Sequence, residues 1–281
     1  MSYLHRPTGG SLPRVSAPAS PQTAAAAAAL ARAPALPRAT PDPAPPERPR
    51  ARPLTRRYET MWLTPEGDIA DATRIAPATP LFEEAFAALA RGAVVATEDG
   101  PVAIEDLLPG MRVMTAEGRA ETVLWIGSML IFPDAAHPDA PPARMIRITA
   151  DAFGPGRPSS DLVLGPRARL LLRDPRLRAL AGDDRAYVPA QSFVDGVSVI
   201  EVAPLSPVAV HHVALEHQGS MRILGMDVES YHPGGGIETM HEARMLSLFA
   251  DIFPSFRTLS AFGRMAHPRL TRHEVESLLS G

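Results

Sequence analysis

The sequence predicts a mainly β protein: many short antiparallel strands, a C-terminal helical appendage, and a disordered N-terminal arm rich in proline and alanine. Three observations predict it. The chain holds 31 Pro and 20 Gly but only 5% aromatic residues, a composition that favours turns and short strands over helical bundles. From Gly92 to about residue 233, apolar runs alternate with turn signals, with no helical pattern between them. Residues 1–57 carry 12 Pro and 14 Ala with hardly a bulky apolar side chain, too little to offset the entropy of ordering.

That arm, residues 1–57, reads as disordered or polyproline-like. Its alanine run Ala24–Ala29 is too short and too closely flanked by proline to nucleate a helix. It holds nine Arg against two acids, whereas residues 58–281 hold nineteen Arg against twenty-nine acids, so arm and body attract. Interleaved proline and few aromatics favour a solvated linker over a nucleic-acid or membrane ligand, and no nucleic-acid partner is expected. "TAAAAAALARAPAL" imitates a secretory h-region, but the proline-bearing segment before it argues against a signal peptide. No apolar run approaches the roughly 18 residues of a membrane span. Cellular location stays open.

Residues 58–84 read as a leading strand and a short helix. Tyr58, Met61 and Leu63 precede the turn signal "TPEGD". "LFEEAFAALARG" reads as an amphipathic helix with Phe82, Phe86 and Leu89 on one stripe and Gly92 as its stop. Residues 85–234 then supply the strand-like runs "AVVAT", "PVAI", "RVMTA", "ETVLWIGSMLIF", "RMIRITADAF", "DLVLGPRARLLL", "VSVIEVAPL", "VAVHHVALEHQ" and "MRILGMDVES". The turns "EDG", "LPG" and "AEG" fall between several of them at hairpin-like intervals, the mark of an antiparallel domain. After "YHPGGGI", residues 235–281 turn helical. Capping boxes at Thr239/Glu242 and Thr271/Glu274 mark two starts, and Leu246, Phe249, Ile252 and Phe253, then Val275, Leu278 and Leu279, form stripes that pack on the sheet.

The chain has no Cys, no Lys and no Asn. This excludes disulfides, thiolate nucleophiles and thiolate metal sites, Schiff-base lysines and a P-loop lysine. No G-x-S-x-G, H-E-x-x-H or dinucleotide fingerprint is present, and "GPGRPSSD" has no following helix to cradle phosphate. The best metal candidates are His211, His217 and His232. Strand periodicity puts His211 and His217 on one face and His212 with Glu216 on the other, but six residues of strand span about 20 Å, so no cofactor or metal is expected. The paired acids Glu105/Asp106 and Asp183/Asp184 read as solvated turns. Glu229, closing the last strand, is the more interesting carboxylate.

The strand series itself resembles a known family. "GAVVATEDGPVAIEDLLPGMRVMTAEGRAETVLWIGS" is similar to the opening of the bacterial Hedgehog/intein, or Hint, domains, with their "V-x-I-E-D-L-x-P-G-D-x-V" run and "W-I-G" strand. "DLVLGPRARLLL" stands where that family has an "S-P-x-H-R-x-L" strand, and "YVPAQSFVDGVSV" resembles its "L-V-P-A-x-x-L-V-N-G" segment. "VHHVALEHQGSMRILGMDVESYHPG" resembles the closing "Y-H-x-x-L-x-x-H-x-x-x-x-x-x-G-x-x-V-E-S" strands. The resemblance covers residues 85–234 and implies a Hint fold and autoprocessing. An N-terminal Cys attacks the preceding peptide bond, a mid-strand Thr and His assist, and in inteins a terminal Asn completes splicing.

Three of the chemical groups the resemblance implies are missing. The family Cys falls at or near Ala88, the family His on Ala168, and no Asn exists in the chain. The leading expectation is therefore a Hint domain without catalytic residues, serving as a structural or binding module for an unidentified protein partner. One alternative is self-cleavage through Thr97, Ser192 or Ser230. Another is a metal or acid/base hydrolase built on His211, His217, Glu229 and His232. A Hint fold also requires the Ala88 region to lie near Ala168 and Glu229, within about 20 Å by the dimensions of a small domain.

Overall fold

A computed structural model describes residues 54–133 and 144–280. Residues 1–53 of the expected disordered arm lie outside the described residues. The leading element is a hairpin rather than a single strand: β1 (Thr55–Leu63) pairs antiparallel with β2 (Ile69–Pro77) across the "TPEGD" turn. Thr64 N–H donates to the Asp68 carbonyl and Gly67 takes a left-handed φ of 90°, which closes that turn. β1 also pairs with β7 (Ala120–Ile131), aligning Glu59 with Ser128 and Trp62 with Trp125.

The expected helix over "LFEEAFAALARG" shrinks to one turn, α1 (Pro80–Glu83). Phe82 and Phe86 are buried as the stripe requires, but Leu89 belongs to a strand, β3 (Leu89–Ala90). The reason is tertiary. The backbone of residues 87–91 is claimed by neighbours, with Ala88 N–H donating to the His211 carbonyl and Arg91 N–H to that of Ala209. A helix there would surrender those bonds and the burial of four consecutive alanine and phenylalanine side chains, Ala85–Ala88.

The strands then follow the expected runs. They are β4 (Val94–Thr97), β5 (Gly100–Ala103), β6 (Arg112–Met114), β7, β8 (Met145–Ile148), β12 (Val199–Val202) and β13 (Val208–Leu215). "DLVLGPRARLLL" splits at Gly165-Pro166 into β9 (Leu162–Leu164) and β10 (Arg169–Arg173), because proline has no N–H for the ladder. "MRILGMDVES" splits into the hairpin β14 (Ser220–Ile223) and β15 (Met226–Glu229), turning at Leu224 and Gly225, both with positive φ. Two elements lay outside the expected runs: the short helix α2 (Leu177–Ala181) and β11 (Arg185–Pro189).

Among the described residues fifteen antiparallel strands join one sheet; twelve run in the order β11-β10-β15-β14-β4-β6-β7-β13-β3-β9-β8-β12, with β1 on β7, β2 on β1 and β5 on β4 off this path. The crossings bring early and late segments together. One core unites Ala88, Leu89, Ala168, Leu170, Val213, Leu215 and Val228, and so joins the first strands, the β9–β10 region and the last strands.

The C-terminal segment packs on this sheet as expected, through α3 (Ile237–Met240), α4 (Ala243–Ala250) and α5 (Arg272–Ser280). Phe249, Ile252 and Phe253 are buried against Phe82, Phe86 and Trp125, and Trp125 Nε1 donates to the Ile252 carbonyl at 2.7 Å. Val275 and Leu278 bury against Leu177 and Val188. The side chain of Leu279 lies outside the described residues. The Thr271/Glu274 capping box forms, with Glu274 N–H on Thr271 Oγ1 and Thr271 N–H on Glu274 Oε2. The Thr239/Glu242 box does not: Thr239 sits inside α3 with its hydroxyl donated to Gly236, and Glu242 makes no capping bond for α4.

Candidate functional site

The site begins at Ala88. Its methyl group is fully buried, its N–H donates to the His211 carbonyl at 3.1 Å, and its carbonyl accepts from Gly165 N–H at 2.8 Å. The carbonyl of Ala87, on the peptide bond preceding Ala88, accepts from Arg167 N–H at 2.9 Å. Ala168 follows one residue later, held by its N–H to the Gly165 carbonyl and its carbonyl to Ala190 N–H. The expected juxtaposition of Ala88 and Ala168 is therefore present, with a methyl group at each point in one core.

Glu229 completes the arrangement through His212. Nδ1 of His212 lies 2.8 Å from the Glu84 carbonyl and Nε2 lies 3.4 Å from the Glu229 carbonyl, so this ring ties the chain just before Ala88 to the end of β15. A neutral imidazole has one N–H, and the shorter contact marks Nδ1 as its donor. Burial, reinforced by Arg269 and Arg169, lowers the His212 pKa to about 4. The ring is a neutral strut rather than an acid ready to deliver a proton at neutral pH.

Around it lies a buried ionic group. Glu229 Oε1 accepts from Arg269 Nε at 2.8 Å, and Oε2 is 3.7 Å from Arg169 Nε. Arg169 also reaches Glu84 at 4.0 Å, and Arg269 Nη2 donates to the His232 carbonyl. Gln218 Nε2 lies 3.4 Å from Glu229 and 3.3 Å from the Ser230 carbonyl, while Gln218 Oε1 accepts from Ala266 N–H. Burial pushes the Glu229 carboxyl above its ordinary range and the two guanidiniums oppose that push. An unpaired charge so placed costs several kcal/mol, and pairing with two guanidiniums, with hydrogen bonds from Arg269 and Gln218 to one oxygen, is how the fold tolerates it.

A second network runs beside the first. Ser220 donates its hydroxyl to Glu117 at 2.9 Å and contacts the Tyr187 hydroxyl at 3.0 Å, and His267 lies 3.4 Å from Glu117 and 3.5 Å from Asp183. The Glu117 pKa is held down to about 2: burial pushes it up, but His267 and the Ser220 N–H and hydroxyl outweigh that. The residue types resemble a hydrolytic triad, but Ser220 is fully buried and points at the carboxylate instead of the imidazole.

The remaining candidates disperse. Thr97 spends its hydroxyl on the Gly100 carbonyl in its own hairpin. Ser230 is fully buried and accepts from Gly219 N–H, and the Ser192 hydroxyl is buried without a partner. His211, His217 and His232 do not share partners. His211 lines a groove under β1 and β2, His217 Nδ1 binds Glu121 at 2.9 Å, and His232 Nε2 faces the Gly263 carbonyl. The one close group of ligand types among the described residues is Glu121, Glu216 and His217, where Arg119 already neutralises Glu121. The hydrolase set of His211, His217, Glu229 and His232 is therefore not assembled.

Sequence reasoning missed Arg169, Arg269, Gln218, Glu84, Glu117 and His267. For Gln218 a signal existed, since the closing pattern "Y-H-x-x-L-x-x-H" puts its second histidine there. Arg269 and His267 come from the C-terminal appendage, and no spacing rule links them to β15.

A solution structure described as a bacterial intein-like domain from Clostridium thermocellum is similar over 52% of this chain and 99% of its own, at 14% identity and a TM-score of 0.38. No match is found among the curated proteins. Residues 87–235, more than half of the chain, match the Hint domain family. The chain belongs to the Hint domain family.

Proposed function

We propose that this Hint domain has no self-splicing or autoproteolytic activity and acts as a structural or binding module. The reading rests on the resemblance, which puts the family nucleophile at or near Ala88 and the assisting imidazole at Ala168, and on the burial of both methyl groups in one core. Acyl transfer needs a nucleophile, a proton donor within reach and an accessible carbonyl. The first two are absent from these positions, and the Ala87 carbonyl is pressed against backbone.

The upstream chain supports the same reading. Self-cleavage before residue 88 would detach the β1–β2 hairpin from the domain covalently, yet that hairpin is part of the sheet. Tyr58 packs at a tilt against Phe82 and Phe86, and Phe86 packs edge-on to Trp125 of β7. The hairpin reads as a constituent of the module rather than as cargo.

The test is intact mass of the purified full chain after prolonged incubation, with and without thiol or hydroxylamine. The expected result is a single unchanged mass in every condition. A pair of fragments summing to the whole, with a junction at residues 87–88 or 230–231, would overturn the reading.

A further inference from the structure

The free edge of the hairpin carries an inference independent of catalysis. β2 pairs with β1 and with no other strand among the described residues. The ladder decides which groups face away. Ala78 N–H donates to the Leu54 carbonyl and Thr64 N–H to the Asp68 carbonyl, and hydrogen-bonded positions alternate along an antiparallel pair. Ala70, Ala72, Arg74 and Ala76 therefore direct their backbone groups at β1. Ile69, Asp71, Thr73 and Ile75 direct theirs outward, and the alternation of strand side chains puts these four on one face. All four are exposed, Ile75 at 77% and Ile69 at 47%.

Sheet edges are usually guarded by a bulge, a proline or charged side chains, lysine above all. This one has no bulge, no lysine and no proline before its last residue, and its two charges, Asp71 and Arg74, are of opposite sign. Register with β1 runs unbroken from Thr55/Pro77 to Leu63/Ile69, Pro77 is the only proline, and the chain has no lysine.

We propose that β2 is a homodimerisation edge, through which two copies of the chain pair antiparallel about a twofold axis at Ala72 and continue the sheet from one molecule into the next. A twofold axis perpendicular to the sheet maps each face onto itself, so facing residues must have the same parity. With the axis at Ala72, Ile69 faces Ile75 of the second copy and Asp71 faces Thr73. Each facing pair exchanges two hydrogen bonds, so every outward N–H and carbonyl of the four residues is satisfied. The exposed isoleucines cover one another on both sides of the axis, and Asp71 meets a hydroxyl rather than its own copy. Moving the axis one residue to Thr73 would set Ile75 against Asp71 and place Pro77, which has no N–H, opposite Ile69. The edge is complementary to itself in one register, which favours a second copy over an unrelated extended peptide.

Sedimentation velocity of the full chain over a wide concentration range tests the proposal. A concentration-dependent species of twice 30.0 kDa is expected. Ile75→Glu and Thr73→Pro, which leave the β1 ladder intact, should each shift it to monomer with unchanged circular dichroism and melting temperature. Ala72→Cys should form an interchain disulfide under mild oxidation, since facing non-hydrogen-bonded strand positions lie within disulfide reach. Leu205→Cys, at a 99% exposed position elsewhere, is the control. A monomer at every concentration, a dimer indifferent to both edge substitutions, or crosslinking of Ala72→Cys no faster than the control would overturn the proposal.

Discussion

Gly165 lies so close to Ala87 that a Cβ on the glycine would fall 2.2 Å from the Ala87 carbonyl oxygen. The obstacle is backbone, and the Gly165 N–H is bonded to the next carbonyl at Ala88, so neither segment can yield alone. Gly165→Ala should therefore destabilise by at least the roughly 1–3 kcal/mol of core overpacking. Denaturant unfolding measures it, and an unchanged midpoint would mean that the two segments are not in contact.

The Glu229–Arg269 pair should be strongly coupled. Arg269→Met leaves a buried carboxylate with the Gln218 amide and only one, more distant, cation in Arg169, and should cost about 3–5 kcal/mol. The double variant Glu229→Gln/Arg269→Met should recover a substantial part of that loss, because it removes the charge as well as its partner. A double-mutant cycle by urea unfolding reads the coupling, and simple additivity would contradict it.

Acid should weaken the fold in two steps. The His212 pKa is lowered to about 4 from the ordinary 6.5 by burial, so between these values the unfolded chain binds the proton more readily. Its stabilising contribution is complete above pH 6.5 and is lost as pH falls to about 4, a change of roughly 3 kcal/mol by linkage. His211 and His232, also lowered by burial, act in the same direction. Glu117, held down to about 2, adds a second loss from about pH 4.5 downward. Stability measured against pH for wild type and His212→Gln should differ in slope between pH 6.5 and 4. Parallel curves would remove His212 as a contributor.

The two threonines that look alike in sequence should behave differently. Thr271→Ala removes a formed cap of α5 and should cost about 0.5–2 kcal/mol. Thr239→Ala removes a hydroxyl that caps no α4 N–H and should stay within about 0.5 kcal/mol. Thermal unfolding of the two variants provides the comparison, and equal losses would contradict it.

Strand runs were legible because alternating burial is a local signal. Along β7, for example, Glu121, Val123 and Trp125 are buried while Thr122 and Leu124 are only partly so. The buried Glu121 already departs from that rule, since its burial depends on Arg119 and His217. The "LFEEAFAALARG" segment misled for a related reason. Its periodicity fits a helix, but hydrogen bonds to β13 and the β9–β10 turn outweigh local propensity.

By itself the sequence determined the mainly β class, the packed C-terminal helices, the order of family-like motifs and the absence of cysteine, lysine and asparagine. These follow from composition and short-range pattern, which need no partner to be read. Only the tertiary structure decided that Ala88, Ala168 and Glu229 converge, that His212 braces them, and that arginines from β10 and the C-terminal segment neutralise Glu229. The convergence rests on contacts between residues 17 to 128 positions apart along the chain, and burial and ion pairing at such separations arise from sheet topology, which no local spacing encodes.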